Sequence, residues 1–129
     1  MSIKREIELE CEKDVSQERC GFVVYEDNQF RLIPAENKAE DKKNTFYIPA
    51  KEFLHIMNHK LIVAVYHSHN DGSEEPSTFD MKSADIICFP FLIYSTQTNK
   101  FKMHVPVYSE ANEDRVKELK QELGISLYD

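Results

Sequence analysis

The sequence lacks the features that mark two large classes of protein, nucleic-acid binders and membrane proteins. Its formal net charge is −7, whereas nucleic-acid binding needs a dense basic face. Its longest apolar runs, residues 61–66 and residues 86–94, fall far short of the roughly 20 residues that span a bilayer. We therefore expect neither a nucleic-acid partner nor a membrane anchor.

Cysteine is scarce, and the N-terminus lacks the pattern of a secretory signal. Cys11, Cys20 and Cys88 are an odd number without a C-x-x-C pair, which favours reduced, buried structural thiols over a disulfide framework. The first ten residues, MSIKREIELE, are charged from the start and contain no apolar h-region. A reducing compartment, the cytoplasm, is the expected location.

The composition that remains is that of one globular domain. The chain has 129 residues, of which 41% are hydrophobic and 30% charged, and a chain of this length can bury a sizeable core. We find no internal repeat, low-complexity tract or linker. The sequence predicts a single domain over residues 1–129.

The N-terminal half predicts helices and strands in alternation. Apolar residues every fourth position predict an amphipathic helix that ends near Ser16. Residues 20–25 and 29–33 predict a β-hairpin around a polar turn, and 45–48 predict a short strand. The first helix and the helix that follows Pro49 would bury these side chains: Ile3, Ile7, Cys11 and Val15 in the first, and Phe53, Leu54, Ile56 and Met57 in the second.

The C-terminal half begins with an apolar strand, residues 61–66, whose continuous hydrophobicity is typical of a central strand covered on both faces. A helix over 77–88 would follow, with Phe79, Ala84, Ile87 and Cys88 at helical spacing. A strand over 91–95 and a second one with alternating apolar residues over 101–107 predict another hairpin. A helix from about Ser109 would end at Gly124. The expected fold class is α/β, with one mixed sheet flanked by helices.

Chemistry concentrates at the end of the apolar strand. His67 and His69 are two residues apart, so a strand would direct both imidazoles to one face and Ser68 to the other. Asp80 follows after ten intervening residues, enough for a loop to return and present a carboxylate. Two imidazoles and one carboxylate leave a coordination position open for water, as in hydrolytic zinc sites.

Each of these residues also has a simpler interpretation. A histidine on a strand is more often a surface or core residue, and Ser77 with Asp80 fits the S-x-x-[DE] capping box of a helix N-terminus. The pair His55 and His59 lies four apart on a predicted helix, but no glutamate lies between them, so we expect no second metal site there. The conjunction of His-x-His, ten residues and Asp favours a metal site.

This pattern, with Ser77 three residues before Asp80, resembles the signature of the JAMM/MPN metallopeptidase family. The resemblance extends from the first helix to about Val107 and includes Glu18-Arg19-Cys20-Gly21 at the start of a strand. It implies a cytidine-deaminase-like JAMM/MPN fold. Asn70 stands where the family usually has proline after the second histidine, and this departure bears on loop stiffness more than on chemistry.

The resemblance also implies roles for particular residues. His67, His69 and Asp80 would bind one catalytic Zn²⁺, Glu18 would act as general base and acid, and Ser77 would stabilise the oxyanion. Glu26, one strand away, is the alternative base. Compact prokaryotic and phage-tail-associated members of the family are the most similar in the stretch 34–48, so the protein would be made in the bacterial cytoplasm, encoded by host or phage.

Three functions follow as expectations from the resemblance. The first is a deubiquitinase-like metallopeptidase or isopeptidase that cuts after the Gly-terminated tail of a ubiquitin-like or sulfur-carrier protein. The second is a phage-tail assembly or cell-wall peptidase that acts on a tail protein or on peptidoglycan. The third is a non-catalytic MPN scaffold, which the complete set of ligand residues disfavours.

Overall fold

The protein is described by a computed structural model over residues 1–127. Within these residues, five strands form one sheet in the order β2-β1-β3-β4-β5. Only β3 and β4 pair in parallel, and the other neighbours are antiparallel. The mixed sheet with four helices confirms the predicted architecture. In chain order the elements are α1 (Ile3–Glu12), β1 (Cys20–Glu26), β2 (Gln29–Ala35), α2 (Ala50–His59), β3 (Leu61–His69), α3 (Thr78–Ile87), β4 (Phe91–Ser95), β5 (Phe101–His104) and α4 (Glu113–Leu123).

The two faces of the sheet carry separate apolar clusters. On one face, α1 and α4 pack on residues such as Val63 and Leu92. On the other, α2 and α3 cover a cluster built around Phe22, Val65 and Phe91. Because β3 is buried on both faces, its continuous apolar sequence is explained, as expected for a central strand.

The connection between β3 and β4 determines where a site can form. Parallel neighbours cannot be joined by a tight turn, so the chain must cross one face of the sheet between them. Here the crossover consists of residues 70–77 and α3. As a result, the N-terminus of α3 lies near the carboxyl end of β3, where the residues predicted to carry chemistry are located.

The predicted end of α1 and part of the predicted core face of α2 are wrong. Helix α1 ends at Glu12 rather than near Ser16, and Val15 is 57% exposed. In α2, Leu54 and Met57 are exposed, whereas Phe53 and Ile56 pack on the second cluster. A helix buries one stripe, and residues 53 and 56 occupy it while 54 and 57 are rotated away from it.

The predicted strand over 45–48 is not formed. The backbone of this segment instead bonds to the loop before it: Tyr47 N–H donates to the Asn37 side chain, and the Tyr47 carbonyl accepts from Lys38 N–H. Because these groups already have partners, the segment does not need a neighbouring strand.

The C-terminal predictions are closer to the structure. Strand β4 has the predicted bounds and pairs with β5 as a hairpin. Val105 and Val107 lie beyond β5 and are exposed. Helix α4 begins at Glu113, later than predicted, because Asn112 caps it, and it ends at Gly124 as predicted.

The helix after the candidate site, α3, keeps only part of its predicted core face. Ala84 is buried and Ile87 is partly buried against the second cluster. Phe79 is 58% exposed, so the prediction that it faces the core is wrong. Cys88 lies just past the helix in the left-handed conformation.

Gly21, in strand β1, occupies a position with no room for a side chain. A Cβ atom there would lie 2.4 Å from the carbonyl oxygen of Ile33 and 2.7 Å from the Tyr66 ring. Both neighbours belong to the strands that flank β1, so the close approach is built into the sheet. The glycine therefore allows β1 to pair on both sides beside the candidate site.

The cysteines are free thiols, as predicted, but they differ in burial. Cys11 and Cys20 are buried and Cys88 is only partly buried, so the prediction of three buried thiols is wrong for Cys88. Burial raises the pKa of both Cys11 and Cys20 to about 12, which removes them as nucleophiles at neutral pH.

Every helix within residues 1–127 is too short or too polar to span a bilayer.

Candidate metal centre

Strand geometry brings the two histidines at the end of β3 together. The Nε2 atoms of His67 and His69 are 3.2 Å apart. Ser68, between them, points to the other side, where its hydroxyl accepts a hydrogen bond of 2.9 Å from the backbone N–H of Arg19. The two imidazoles therefore converge, as the alternation of side chains along a strand predicts.

Asp80, in the first turn of α3, completes the group. Its Oδ1 lies 3.2 Å from Nε2 of His67, and its Oδ2 lies 3.0 Å from Nε2 of His69. The same carboxylate accepts a hydrogen bond from Ser77 N–H, while Ser77 Oγ accepts one from Asp80 N–H, which together form a capping box. The capping interpretation of Asp80 is therefore confirmed, and the capping hydrogen bonds leave its carboxylate beside both imidazoles.

The spacing of these atoms fits a shared cation. Ligand atoms around a tetrahedral metal at 2.0–2.1 Å would be separated by about 3.3 Å. His69 Nδ1 lies 2.9 Å from the carbonyl of Ser73, which fixes the tautomer with the proton on Nδ1 and leaves a lone pair on Nε2 when the ring is neutral. That lone pair lies 3.2 Å from His67 Nε2 and 3.0 Å from Asp80 Oδ2, so a cation placed among the three groups can accept an electron pair from each of them. His67, His69 and Asp80 can therefore hold a metal ion.

Aromatic packing fixes the orientation of His67. Its ring is fully buried, stacks on Phe46 with centroids 4.5 Å apart and meets the edge of Phe91 at 5.6 Å. Within residues 1–127 its Nδ1 has no hydrogen-bond partner. Burial lowers the pKa of His67, which favours the neutral imidazole that metal binding requires.

The contact between His69 and Asp80 shifts the pKa of both groups. Burial alone would lower the pKa of His69, but its hydrogen bonds to Asp80 and Ser73 outweigh burial and raise it. Burial would raise the pKa of Asp80, but hydrogen bonds from both histidines hold it far below its usual range. Asp80 is therefore a carboxylate at any ordinary pH.

Glu18 lies on the wall of a cavity beside the candidate metal group. This cavity has a volume of about 210 Å³ and is also lined by His69, Ser77 and Asp80. The side chain is buried. Burial raises the pKa of Glu18 to about 8; Asp80 and Asp41 add to the increase, and His69 opposes it. The alternative base, Glu26, is bonded to Lys60 at the far end of β1, about 20 Å along the strand from the end that pairs with His67.

Asn37 holds the backbone around Glu18 and was not singled out by the sequence. Its buried side-chain amide donates to the carbonyls of Glu18 and Thr45, and its oxygen accepts from the N–H groups of Ala39 and Tyr47. Glu18 N–H in turn donates to Lys42 at 2.7 Å. The loop over 36–47 is thereby fixed to the segment that carries Glu18. An asparagine in a polar loop gave no signal of this role.

Asn70 connects three parts of the chain at the site. Its amide donates a 2.7 Å hydrogen bond to the carbonyl of Gln17, and its side-chain oxygen accepts one of 2.8 Å from the Thr96 hydroxyl. Gln17 immediately precedes Glu18, and Thr96 follows β4. Where a proline would only stiffen the loop, Asn70 ties the end of β3 to the Glu18 segment.

Comparison with known proteins identifies the family. A family model described as prokaryotic homologs of the JAB domain matches residues 2–110. The chain belongs to this family of JAB/MPN-type domains, which confirms the resemblance recognised in the sequence.

Two individual matches agree with this assignment. The chain is 27% identical over 79 residues to the tail tip assembly protein K of Escherichia phage N15, an alignment that covers 61% of this chain but 32% of that protein. A solution structure of a protein from Desulfitobacterium hafniense has the same fold, with a TM-score of 0.58, 18% identity, and coverage of 89% of this chain and 95% of that one.

The Asn70 network generates a stability prediction. Asn70→Ala removes the hydrogen bond to the Gln17 carbonyl and leaves the Thr96 hydroxyl with its 3.4 Å bond to the His69 carbonyl. We therefore expect a loss of about 1–3 kcal/mol in the free energy of unfolding. Urea denaturation measures this loss. Asn44→Ala is the matched control. Within residues 1–127 the side chain of Asn44 donates its hydrogen bonds to the exposed carboxylate of Asp41, so the effect should stay within about 0.5 kcal/mol. Equal effects of the two variants would show that the Asn70 network does not stabilise the fold.

Proposed function

We propose that the protein is a zinc-dependent metallopeptidase or isopeptidase. The observation that carries this proposal is the convergence of three metal-binding side chains: the Nε2 atoms of His67 and His69 lie 3.2 Å apart, and each lies 3.0–3.2 Å from one carboxylate oxygen of Asp80. They lie beside a cavity whose wall includes the buried Glu18. Family membership supports a hydrolase of this class. A scaffold role would require neither the convergence of donor atoms nor Glu18 beside them.

The donor set suits zinc in its catalytic form. Two imidazole nitrogens and one carboxylate are typical of hydrolytic zinc sites that keep a coordination position open, whereas closed structural sites use four protein ligands, often cysteines. When bound, zinc supplies Lewis-acid polarisation of a carbonyl and makes a water nucleophilic near neutral pH. The Nδ1–H group of His69 donates a hydrogen bond to the Ser73 carbonyl. This bond orients the imidazole, as is common for metal-binding histidines.

Glu18 is the proposed general base and acid. It takes a proton from the attacking water and then gives that proton to the leaving amine. Its carboxyl group lies on the wall of the cavity beside His69 and Asp80, where both proton transfers would take place. The Asn37 and Lys42 contacts of its backbone hold it in place for both transfers.

Ser77 is the proposed oxyanion donor. Its Oγ accepts the hydrogen bond from Asp80 N–H, so the hydroxyl proton remains available to donate into the cavity that Ser77 lines. A donor aimed at the oxygen that becomes negative stabilises the transition state more than the substrate. The cap of α3 fixes the position of this hydroxyl.

Two classes of substrate are candidates. Resemblance to the JAMM/MPN family implies the Gly-terminated tail of a ubiquitin-like or sulfur-carrier protein. The match to a phage protein named for tail tip assembly favours the second candidate, a phage tail protein or a cell-wall peptide. That relative is about three times the length of the matched portion, so its role as a whole protein is carried over here only as a proposal.

Metal content tests the centre. We expect the purified protein to bind about one Zn²⁺ per chain, because four-coordinate sites with three protein ligands retain zinc. His67→Ala and His69→Ala should each abolish that binding, measured by titration against a zinc-sensitive dye. His55→Ala, at an exposed histidine on α2, should bind zinc as the parent does. Full occupancy in the His67→Ala, His69→Ala double variant would refute the assignment.

Glu18→Gln separates catalysis from metal binding. Glutamine keeps the volume and polarity of the side chain but cannot accept the proton. We expect zinc to stay bound, the fold to remain intact, and activity to fall by about 10²–10⁴-fold. Glu26→Gln, which removes the carboxylate that pairs with Lys60, should keep full activity. Loss of zinc in Glu18→Gln would instead make Glu18 a support of the metal, and full activity would exclude it as the base.

A substrate panel distinguishes the two candidates. It contains ubiquitin-like proteins fused through a Gly-terminated tail to a second protein, segments of phage tail proteins, and murein peptides. Mass spectrometry should detect cleavage that a chelator abolishes and that Glu18→Gln lacks. Cutting at the Gly junction supports deconjugation. Intact fusions alongside cleaved tail or murein peptides would eliminate deconjugation in favour of the phage or cell-wall function.

A further inference from the structure

We infer that the protein has a binding pocket for a bulky apolar side chain of the substrate, next to the candidate metal centre. This inference deepens the proposed peptidase function and rests on it for the identity of the ligand as a peptide. The pocket lies between α2, α3 and the segment 46–48, over the face of β3 and β4. It is distinct from the cavity that holds Glu18, although the two share walls.

The lining of the pocket is almost entirely apolar. Three aromatic rings, Phe46, Phe53 and Phe91, form its walls, and the side chain of Val65 in β3 forms its floor. Along α3, residues 79, 83 and 87 are spaced by one turn and form its rim. Ser83 is the polar member of this rim.

The size of the pocket suits one large side chain. Its volume is about 180 Å³. A cavity of about 150 Å³ lined by leucine, isoleucine and phenylalanine holds a benzene molecule. The ring of a phenylalanine or the branched end of a leucine therefore fits, and burying such a side chain from water is favourable. Glycine would leave the pocket unfilled.

Shared walls place the pocket within reach of the reacting bond. Phe46 and Phe79 line both the pocket and the metal-centre cavity. Phe46 and Phe91 also contact the ring of His67, with centroids 4.5 Å and 5.6 Å away. The side chain that enters the pocket therefore belongs to a residue close to the scissile bond of the bound peptide.

The exposure of Phe79 is consistent with this use. Phe79 is 58% exposed although it lies between two cavities. An aromatic ring at the junction offers apolar contact area to a bound chain, as aromatic residues do at recognition surfaces. The substrate class that follows is a peptide with an aromatic or large aliphatic residue beside the cleaved bond.

Binding without cleavage tests this inference directly. The probes are the blocked peptides acetyl-GGFGG-amide and acetyl-GGAGG-amide, titrated by NMR into the full chain in the presence of a chelator, so that catalysis does not contribute. We expect the phenylalanine peptide to bind about 10- to 100-fold more tightly than the alanine peptide. Its signal changes should include residues of the pocket.

Two variants on α3 provide the matched comparison. Ser83→Phe fills the pocket from a partly exposed helix position, away from the ligand residues and Glu18, and should weaken binding of the phenylalanine peptide at least 10-fold. Lys82→Phe adds the same ring at an exposed position outside the pocket and should bind the peptide as the parent does. Circular dichroism and zinc titration confirm that both variants fold and keep the metal centre.

The outcomes separate the pocket from the catalytic proposal. Zinc-dependent cleavage with no preference for phenylalanine and no effect of Ser83→Phe would overturn the pocket and leave the peptidase intact. Selective binding abolished by Ser83→Phe, without any cleavage, would support the pocket and count against the peptidase. Sedimentation that shows a dimer of the parent but a monomer of Ser83→Phe would make a second copy the occupant and overturn the peptide inference.

Discussion

Parallel pairing of β3 and β4 is the constraint from which the site follows. The chain must leave the carboxyl end of β3, cross the sheet and enter the neighbouring strand β4 from its amino end, and α3 is the element that makes the crossing. Its first turn is thereby brought against His67 and His69, and Asp80 reaches them from that turn. Backbone hydrogen bonding and the capping box thus position the group before any ion contributes.

A single asparagine fixes the other half of the cavity. Asn37 replaces the partner strand that residues 45–47 lack, and it bonds the same loop to the carbonyl of Glu18. The loop then supplies Phe46, which packs on His67. The proposed base, the orientation of one ligand and one wall of the apolar pocket therefore depend on one buried amide, whose loss would disturb all three together.

The predictable parts of the molecule were those governed by local rules. Strand alternation and a short return loop were enough to place His67, His69 and Asp80 in one group, and hydrophobic patterns identified all four helices and the central strand. Glu18 is identified only from the family resemblance, because its position depends on a hydrogen bond to Asn37, 19 residues away in the sequence. The wrong predictions of a strand at 45–48 and of a buried Phe79 have the same cause. Apolar β-branched and aromatic residues line the apolar pocket at these positions, whereas pattern reasoning assigns such residues to strands and to the core.

Asp80 closes the cap of α3 in addition to its proposed role in metal binding, and this has a consequence for recognising relatives. A chain of this architecture that had lost catalysis would still gain stability from an aspartate that closes the cap of α3. The two imidazoles instead turn their Nε2 atoms toward each other and toward Asp80, an arrangement that closes no helix cap. Among proteins with this fold, the histidine pair is therefore a sharper indicator of the proposed metal centre than the aspartate.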